Sequence, residues 1–236
     1  MTRRSRVALV TGASRGLGRA VAAELLRQNW RVVIDGRDPV QLARAVTAMP
    51  ARQSVVAVAG DVADPGHRRL LGDAVAREGG LDLLMNNASV LGPSPRPRLA
   101  EHPIHDLAYV YAVNALAPLG LLQLVLPHLE RRGGRVVNVS SDAAADAYDG
   151  WGGYGSSKAA LDHITAVLAQ EHPRLRLYAF DPGDMATDMQ RQAFPGEDVS
   201  DRPSPESVVP GLMELVLGDL PSGRYRAAEL VRPAAA

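Results

Sequence analysis

The 236-residue chain has no cysteine and only one lysine. The missing cysteines exclude disulfides, thiolate metal sites and a cysteine nucleophile, and they suit a reducing, cytoplasmic setting. Aromatic residues make up 4%, and the six histidines show no metal-ligand spacing, so no metal is expected. Basic and acidic residues number 26 each, giving zero net charge and no basic footprint for nucleic acid. Long hydrophobic runs are also lacking. The most apolar helical stretch, residues 116–129, is interrupted by Pro118 and Pro127 and reads as too short and broken to cross a bilayer. No membrane partner is expected. Residues 2–6 are basic, but no signal-peptide apolar region follows, and they read as a solvated tail.

What is present is an alternation of short apolar runs with amphipathic, helix-length segments. Strands are expected at 7–11, 31–35, 54–59, 81–86, 134–140, 174–180 and 223–230. Helices are expected at 19–29, 39–48, 64–78, 103–132, 154–171 and 206–217. Repeated β-α-β order with runs buried on both faces predicts an α/β fold: one domain over 1–236, a doubly wound, Rossmann-type parallel sheet with helices on both faces. The apolar side of 116–129 is expected either deep in the core or against a second subunit.

After the first strand comes Thr11-Gly12-Ala13-Ser14-Arg15-Gly16-Leu17-Gly18, followed by a helix. Glycines there permit a tight turn, and a helix N-terminus offers unpaired N–H groups to a pyrophosphate. The second strand ends Asp35-Gly36-Arg37. A carboxylate at that point suits the ribose of NAD, whereas a cation suits the 2′-phosphate of NADP. Arg15 and Arg37 are expected to converge on that phosphate, and alternation along the strand keeps Asp35 and Gly36 from both facing the ribose. NADP is therefore expected, with NAD as the alternative.

The lone lysine, Lys158, stands four residues after Tyr154, so the two share a helix face. A compact ammonium with three rotatable donors does work that a planar guanidinium cannot. A free phenol titrates near pH 10, and a neighbouring ammonium is expected to lower that value. This makes Tyr154 the acid/base and Lys158 its electrostatic partner. Ser141, thirteen residues upstream at a strand end, is placed to donate to a carbonyl oxygen. In a continuous helix the carbonyl of Asn114 would bond the N–H of residue 118. That residue is Pro118, so the carbonyl is freed for a water next to Lys158.

Taken together, these motifs resemble the short-chain dehydrogenase/reductases of about 250 residues, along nearly the whole chain. The residues 11–18 are similar to the family's cofactor loop, Asp61-Val62 to its adenine-holding pair, and Asn86-Asn87-Ala88 to its Asn-Asn-Ala-Gly. Asn114, Ser141, Tyr154 and Lys158 match its catalytic four, and Pro182-Gly183 with Thr187 matches its Pro-Gly-x-x-x-Thr. The resemblance implies cofactor contacts at Gly12, Ser14, Arg15, Gly16, Leu17, Gly18, Arg37, Asp61, Val62, Asn87, Ala88, Pro182, Gly183, Met185 and Thr187, besides Tyr154 and Lys158. It also implies an NADP(H)-dependent reductase of a ketone or aldehyde, and a homo-oligomer, dimer or tetramer. An NAD-dependent alcohol dehydrogenase and a non-catalytic nucleotide-sensing protein are the alternatives. Three departures stand out: Ser89 replaces the usual Gly, Asp181 precedes Pro182 where Asn is commoner, and within the substrate loop at about 184–205 the segment after Thr187 is short, suggesting an open cleft. Tyr148, Asp149, Trp151, Met185, Met189 and Phe194 are candidates to line that cleft. Arg96, Arg98, His102 and His105 read as solvated.

Overall fold

A computed structural model describes residues 4–230; residues 2–3 of the expected basic tail lie outside the described residues. Seven strands form one sheet: β1 (Val7–Val10), β2 (Arg31–Gly36), β3 (Val55–Ala59), β4 (Leu83–Asn86), β5 (Arg135–Val139), β6 (Arg176–Asp181) and β7 (Gly223–Arg226). Their order is β3-β2-β1-β4-β5-β6-β7, and every pairing is parallel. The order reverses between β1 and β4. Such a switch point opens a crevice at the carboxyl ends of the strands.

Alternation along each strand builds two cores. Ala8, Val10, Val32, Ile34, Leu83, Met85, Val137 and Phe180 face α1 (Gly16–Arg27) and α8 (Pro205–Leu217). Val7, Leu9, Val33, Leu84, Val136 and Leu177 face α3 (Pro65–Arg77) and α5 (Ala117–Glu130). The helices α2 (Pro39–Ala48) and α3 both begin on an aspartate whose carboxylate accepts from the first-turn N–H groups, with proline at the first helical position.

Several segments differ from expectation, among them residues 188–193, which form a short helix inside the expected loop. The helical run predicted over 103–132 is α4 (Ile104–Tyr111), a π turn (Ala112–Leu116) and α5 in continuous succession. Ala117 N–H bonds the Ala112 carbonyl, so the register widens by one residue just ahead of Pro118, which has no N–H to continue the α ladder. The combined run of 27 residues is long and apolar enough to cross a membrane by length and composition, contrary to the broken reading. Half of its most apolar window is buried inside the fold, with Leu121, Leu122, Val125 and Leu129 packed in the second core. The last strand stops at Arg226, and Ala227–Leu230 turns into a short helix, α9.

Candidate active site

A cleft of about 1280 Å³ runs along the carboxyl edge of the sheet, lined by the β1–α1 loop, the ends of β2, β4, β5 and β6, and the start of α6 (Gly152–Glu171). The β1–α1 turn is fixed by its own chemistry. Gly12 has φ +64°, and a Cβ on it would lie 2.8 Å from the Ala88 Cα, so only glycine fits. Its N–H donates to Asp35 Oδ1 at 2.6 Å. Thr11 Oγ1 accepts from the N–H groups of Asn87 and Ala88, and the Asn87 side chain donates to the carbonyls of Thr11 and Gly12. Asn87 thus shapes the loop rather than pointing freely into the cleft. The N-terminus of α1 has no side-chain cap and no acidic residue in its first turn. Its N–H groups remain available to an anion.

Asp35 commits its carboxylate within the protein, to the Gly12 N–H and to His67. It is 1% exposed and pairs with His67 on α3 (Oδ2 to Nε2, 3.0 Å). The sequence pattern gave no sign of this pair, since His67 lies 32 positions away. The two arginines expected to converge have separate partners: Arg15 bridges to Asp188 at 2.9 Å, and Arg37 donates to the Tyr109 hydroxyl at 3.1 Å. Tyr109 in turn donates to Asp61 Oδ2 at 2.7 Å, closing the far end of the cleft. Ser14 Oγ contacts Gln41, Asp61 Oδ1 caps the Ala63 N–H, and Val62 is buried beneath.

At the other end, α6 brings Tyr154 and Lys158 against the end of β5. Close approach depends on Gly155, where an added Cβ would sit 2.5 Å from the Ala143 carbonyl oxygen. The Lys158 ammonium is buried, donates to the Val139 carbonyl at 2.7 Å, and lies 5.6 Å from the Tyr154 ring centre. Burial pushes its pKa down to about 8, with Asp162 opposing. Tyr154 departs from expectation. Its pKa is raised, not lowered: desolvation dominates, while the neighbouring Ser141 and Ser89 hydroxyls pull the other way. Burial of Tyr154 thus favours the protonated phenol.

Ser141 caps a short 3₁₀ turn, accepting from the Ala143 N–H and donating to Asp142 Oδ1. Asn114 is fully buried. Its Oδ1 accepts from the Val90 N–H at 2.9 Å and the Ser89 hydroxyl at 3.1 Å, and its Nδ2 donates to the Val90 carbonyl and to Ser157 Oγ. Ser157 Oγ donates onward to the Tyr154 carbonyl at 2.6 Å. The Asn114 side chain therefore clamps the β4 loop to the start of α6. The departure at Ser89 adds a hydroxyl to this cluster.

The third wall is the segment after β6. Gly183 N–H is held by Asp181 Oδ1, Thr187 caps α7 (Asp188–Ala193), and Pro182 and Met185 line the cleft. The loop that follows is anchored by stacked cations and aromatic rings. Arg96 stacks over Trp151 at 4.1 Å and over Phe194 at 5.2 Å, and donates to the Ala193 carbonyl; Arg202 lies over Phe194 at 4.7 Å. Leu91, Tyr154, Trp151, Met189 and Phe194 form one apolar cluster there. Arg96 is thus buried in part by aromatic faces, and His102 is buried too, against the solvated readings. Arg98 and His105 are exposed. Tyr148 donates to Asp142, and Asp149 pairs loosely with Arg98, so neither enters the apolar cluster.

A sequence family described as short chain dehydrogenase matches residues 6–198. Sepiapterin reductase of Mus musculus is 35% identical over 201 residues, 79% of this chain and 77% of the relative. A Pseudomonas syringae protein described as a short chain dehydrogenase superposes with a TM-score of 0.88 at 30% identity, over 95% of both chains. A Shigella flexneri protein with the same description, solved in complex with NADP, superposes at 0.84 with 28% identity, over 94% of this chain and 97% of its own.

Proposed function

The chain belongs to the short-chain dehydrogenase/reductase family and is an oxidoreductase, and on that premise we propose that it reduces a ketone or aldehyde with NADPH, reversibly with oxidation of the alcohol. The observation that carries this reading is the buried Tyr154 lining the cleft together with Ser141, with the Lys158 ammonium 5.6 Å from its ring centre. The phenol holds the proton that a forming alkoxide needs, and the adjacent ammonium favours the phenolate left when that proton is given up.

The residues fit the cofactor. The uncapped N-terminus of α1, with Gly12, Ser14, Arg15, Gly16, Leu17 and Gly18, receives the pyrophosphate. Arg37 takes the 2′-phosphate, Asp61 and Val62 the adenine, Asn87 and Ala88 the adjoining backbone path, and Pro182, Gly183, Met185 and Thr187 the nicotinamide end. The inward turn of Asp35 toward His67 supports NADP over NAD, because it withdraws the carboxylate that an NAD ribose would use.

When bound, the nicotinamide supplies the hydride for the substrate carbonyl carbon. Ser141 Oγ donates to the carbonyl oxygen and orients it. Tyr154 Oη delivers the proton to that oxygen, and the Lys158 charge stabilises the phenolate left behind. Asn114 holds the start of α6 in register through Ser157. The cluster of Leu91, Trp151, Met189 and Phe194 supports a substrate with an apolar substituent on its carbonyl. The exposed Leu116 and Leu124 support assembly through α5 into a homo-oligomer.

The test is a panel of aldehydes and ketones followed at the nicotinamide absorbance, with NADPH and NADH in parallel. Turnover preferring NADPH, lost by at least about a hundredfold in Tyr154→Phe with cofactor binding retained, is the expected result. A Tyr154→Phe enzyme as active as wild type would overturn the mechanism.

A further inference from the structure

Arg224 lies on β7, beyond residue 198 where the family match ends. Its guanidinium joins three elements. Nε donates to Asp162 Oδ2 on α6 at 3.0 Å, and Nη2 donates both to the Ser141 carbonyl at 2.9 Å and to Asp181 Oδ2 at 3.1 Å. The acceptors are not solvent-facing decoration, since the Asp181 side chain is 5% exposed and that of Asp162 18%. Asp181 uses its other oxygen to hold the Gly183 N–H at 3.0 Å.

We propose that Arg224 is a positioning residue for the active site: it fixes the backbone of Ser141 and, through Asp181, the Pro182–Gly183 turn. The inference goes beyond the reductase reading but rests on it for the roles of Ser141 and that turn. The argument begins with the shape of the donor. A planar fork satisfies three acceptors in fixed directions, which a lysine cannot do. Asp181 stands where asparagine is commoner in the family. Asparagine also accepts the Gly183 N–H but carries no charge, whereas an aspartate this buried needs a counter-charge. Arg224 provides it. Arg226 is the only other cation near Asp181 among the described ion pairs; it stands 3.8 Å away, half exposed and shared with Asp146.

The same guanidinium also balances the site electrostatically. Asp162 lies one helical turn after Lys158 and favours its ammonium, while Asp181 and Asp142 favour the neutral form of Tyr154. Removing the Arg224 charge leaves Asp162 and Asp181 less compensated. Tyr154 and Lys158 then hold their protons to higher pH.

The test uses Arg224→Gln, Arg224→Lys, Asp181→Asn and the double variant Asp181→Asn/Arg224→Gln in the full chain. NADPH affinity is measured by fluorescence titration, and kcat/KM for carbonyl reduction is measured against pH. Arg224→Gln is expected to weaken NADPH binding by about tenfold and to move the alkaline limb of the pH profile upward. The double variant is expected to recover NADPH affinity to within about threefold of wild type, because an asparagine in place of Asp181 needs no counter-charge. Arg224→Lys should move the pH limb less than Arg224→Gln, yet still weaken NADPH binding. Unchanged affinity together with an unmoved limb in Arg224→Gln would overturn the proposal, as would a double variant no tighter than the single. If Arg224→Gln does not fold, as judged by circular dichroism, Arg224→Lys with and without Asp181→Asn is read by the same two criteria. A protein that turns over no carbonyl fails the reductase reading, and the NADPH titrations alone then decide the role of Arg224.

Discussion

The Lys158 ammonium is anchored on the carbonyl of Val139, two residues before Ser141, at 2.7 Å. One hydrogen bond thus ties the charge beneath Tyr154 to the last residue of the strand that leads into Ser141, and the geometry of the pair is set from β5 as much as from α6. Burial lowers the Lys158 pKa from 10.5 to about 8, which puts its titration in an accessible range.

The rate of reduction should therefore be steady below pH 8 and fall as pH rises through about 8, when the ammonium loses its proton and the tyrosinate loses its support. A kcat/KM profile with NADPH measures this. In Lys158→Met the limb disappears along with most of the rate. A wild-type limb near pH 10 instead would mean that Lys158 is not the group being titrated.

The same burial has a consequence for stability. Because the folded pKa is depressed, the unfolded chain binds a proton that the folded chain does not between about pH 8 and 10.5. The penalty for burying the ammonium is present in full below pH 8 and is relieved as pH rises across that window. It amounts to roughly 3 kcal/mol. Urea unfolding at pH 8 and pH 10 should show wild type gaining stability relative to Lys158→Met. Tyr154, raised above its ordinary value, acts with the opposite sign only above pH 10. Parallel curves for the two proteins would contradict the assignment.

Asp35→Ala should destabilise the protein by about 3 kcal/mol, the scale for removing one partner of a buried ion pair or charge-assisted bond. It strands both the Gly12 N–H and the His67 ring, which already has an unpartnered buried Nδ1. Because Gly12 belongs to the phosphate loop, NADPH affinity should fall in step with stability. His67→Asn, which keeps the Gly12 contact, should cost less of both. Thermal unfolding with and without NADPH separates the two effects. A gain of NADPH affinity in Asp35→Ala would instead mean that the carboxylate was opposing the 2′-phosphate.

Much of this was legible in the sequence because it depends on short-range periodicity. Alternation along each strand sorted Val10 from Leu9, and it also placed Asp35 on the face opposite Gly36. What alternation cannot supply is the partner of Asp35, because His67 reaches it only once α3 has packed on the sheet. Pro118 announced a missing helical bond, but the π turn that the chain forms just ahead of it depends on neighbouring packing. Arg96 among prolines reads as solvent-facing by composition. Its burial comes from Trp151 and Phe194, which lie 55 and 98 positions further along. The pKa of Tyr154 went the other way because proximity to an ammonium is visible as spacing, while desolvation is a property of the folded site.

Gly155→Ala separates stability from catalysis at the Tyr154–Ser141 junction. In an exposed helix interior this change would stabilise by roughly 0.5–1 kcal/mol. Here the added methyl would lie 2.5 Å from the Ala143 carbonyl oxygen, a backbone atom that no rotamer can move aside. Overpacking of this kind costs about 1–3 kcal/mol, enough to cancel or outweigh the helical gain. The relief available to the chain is to move α6 away from the Ser141–Ala145 turn, and that displaces the Tyr154 hydroxyl from Ser141. A shift of about 1 Å at reacting groups lowers rates by about a hundredfold. The expected outcome is a melting temperature within a few degrees of wild type, a kcat lower by about 10–100-fold, and NADPH affinity little changed, because the phosphate loop lies at the other end of the cleft. A Gly155→Ala enzyme with wild-type kcat would mean that the α6 contact with Ala143 does not set the distance between Tyr154 and Ser141.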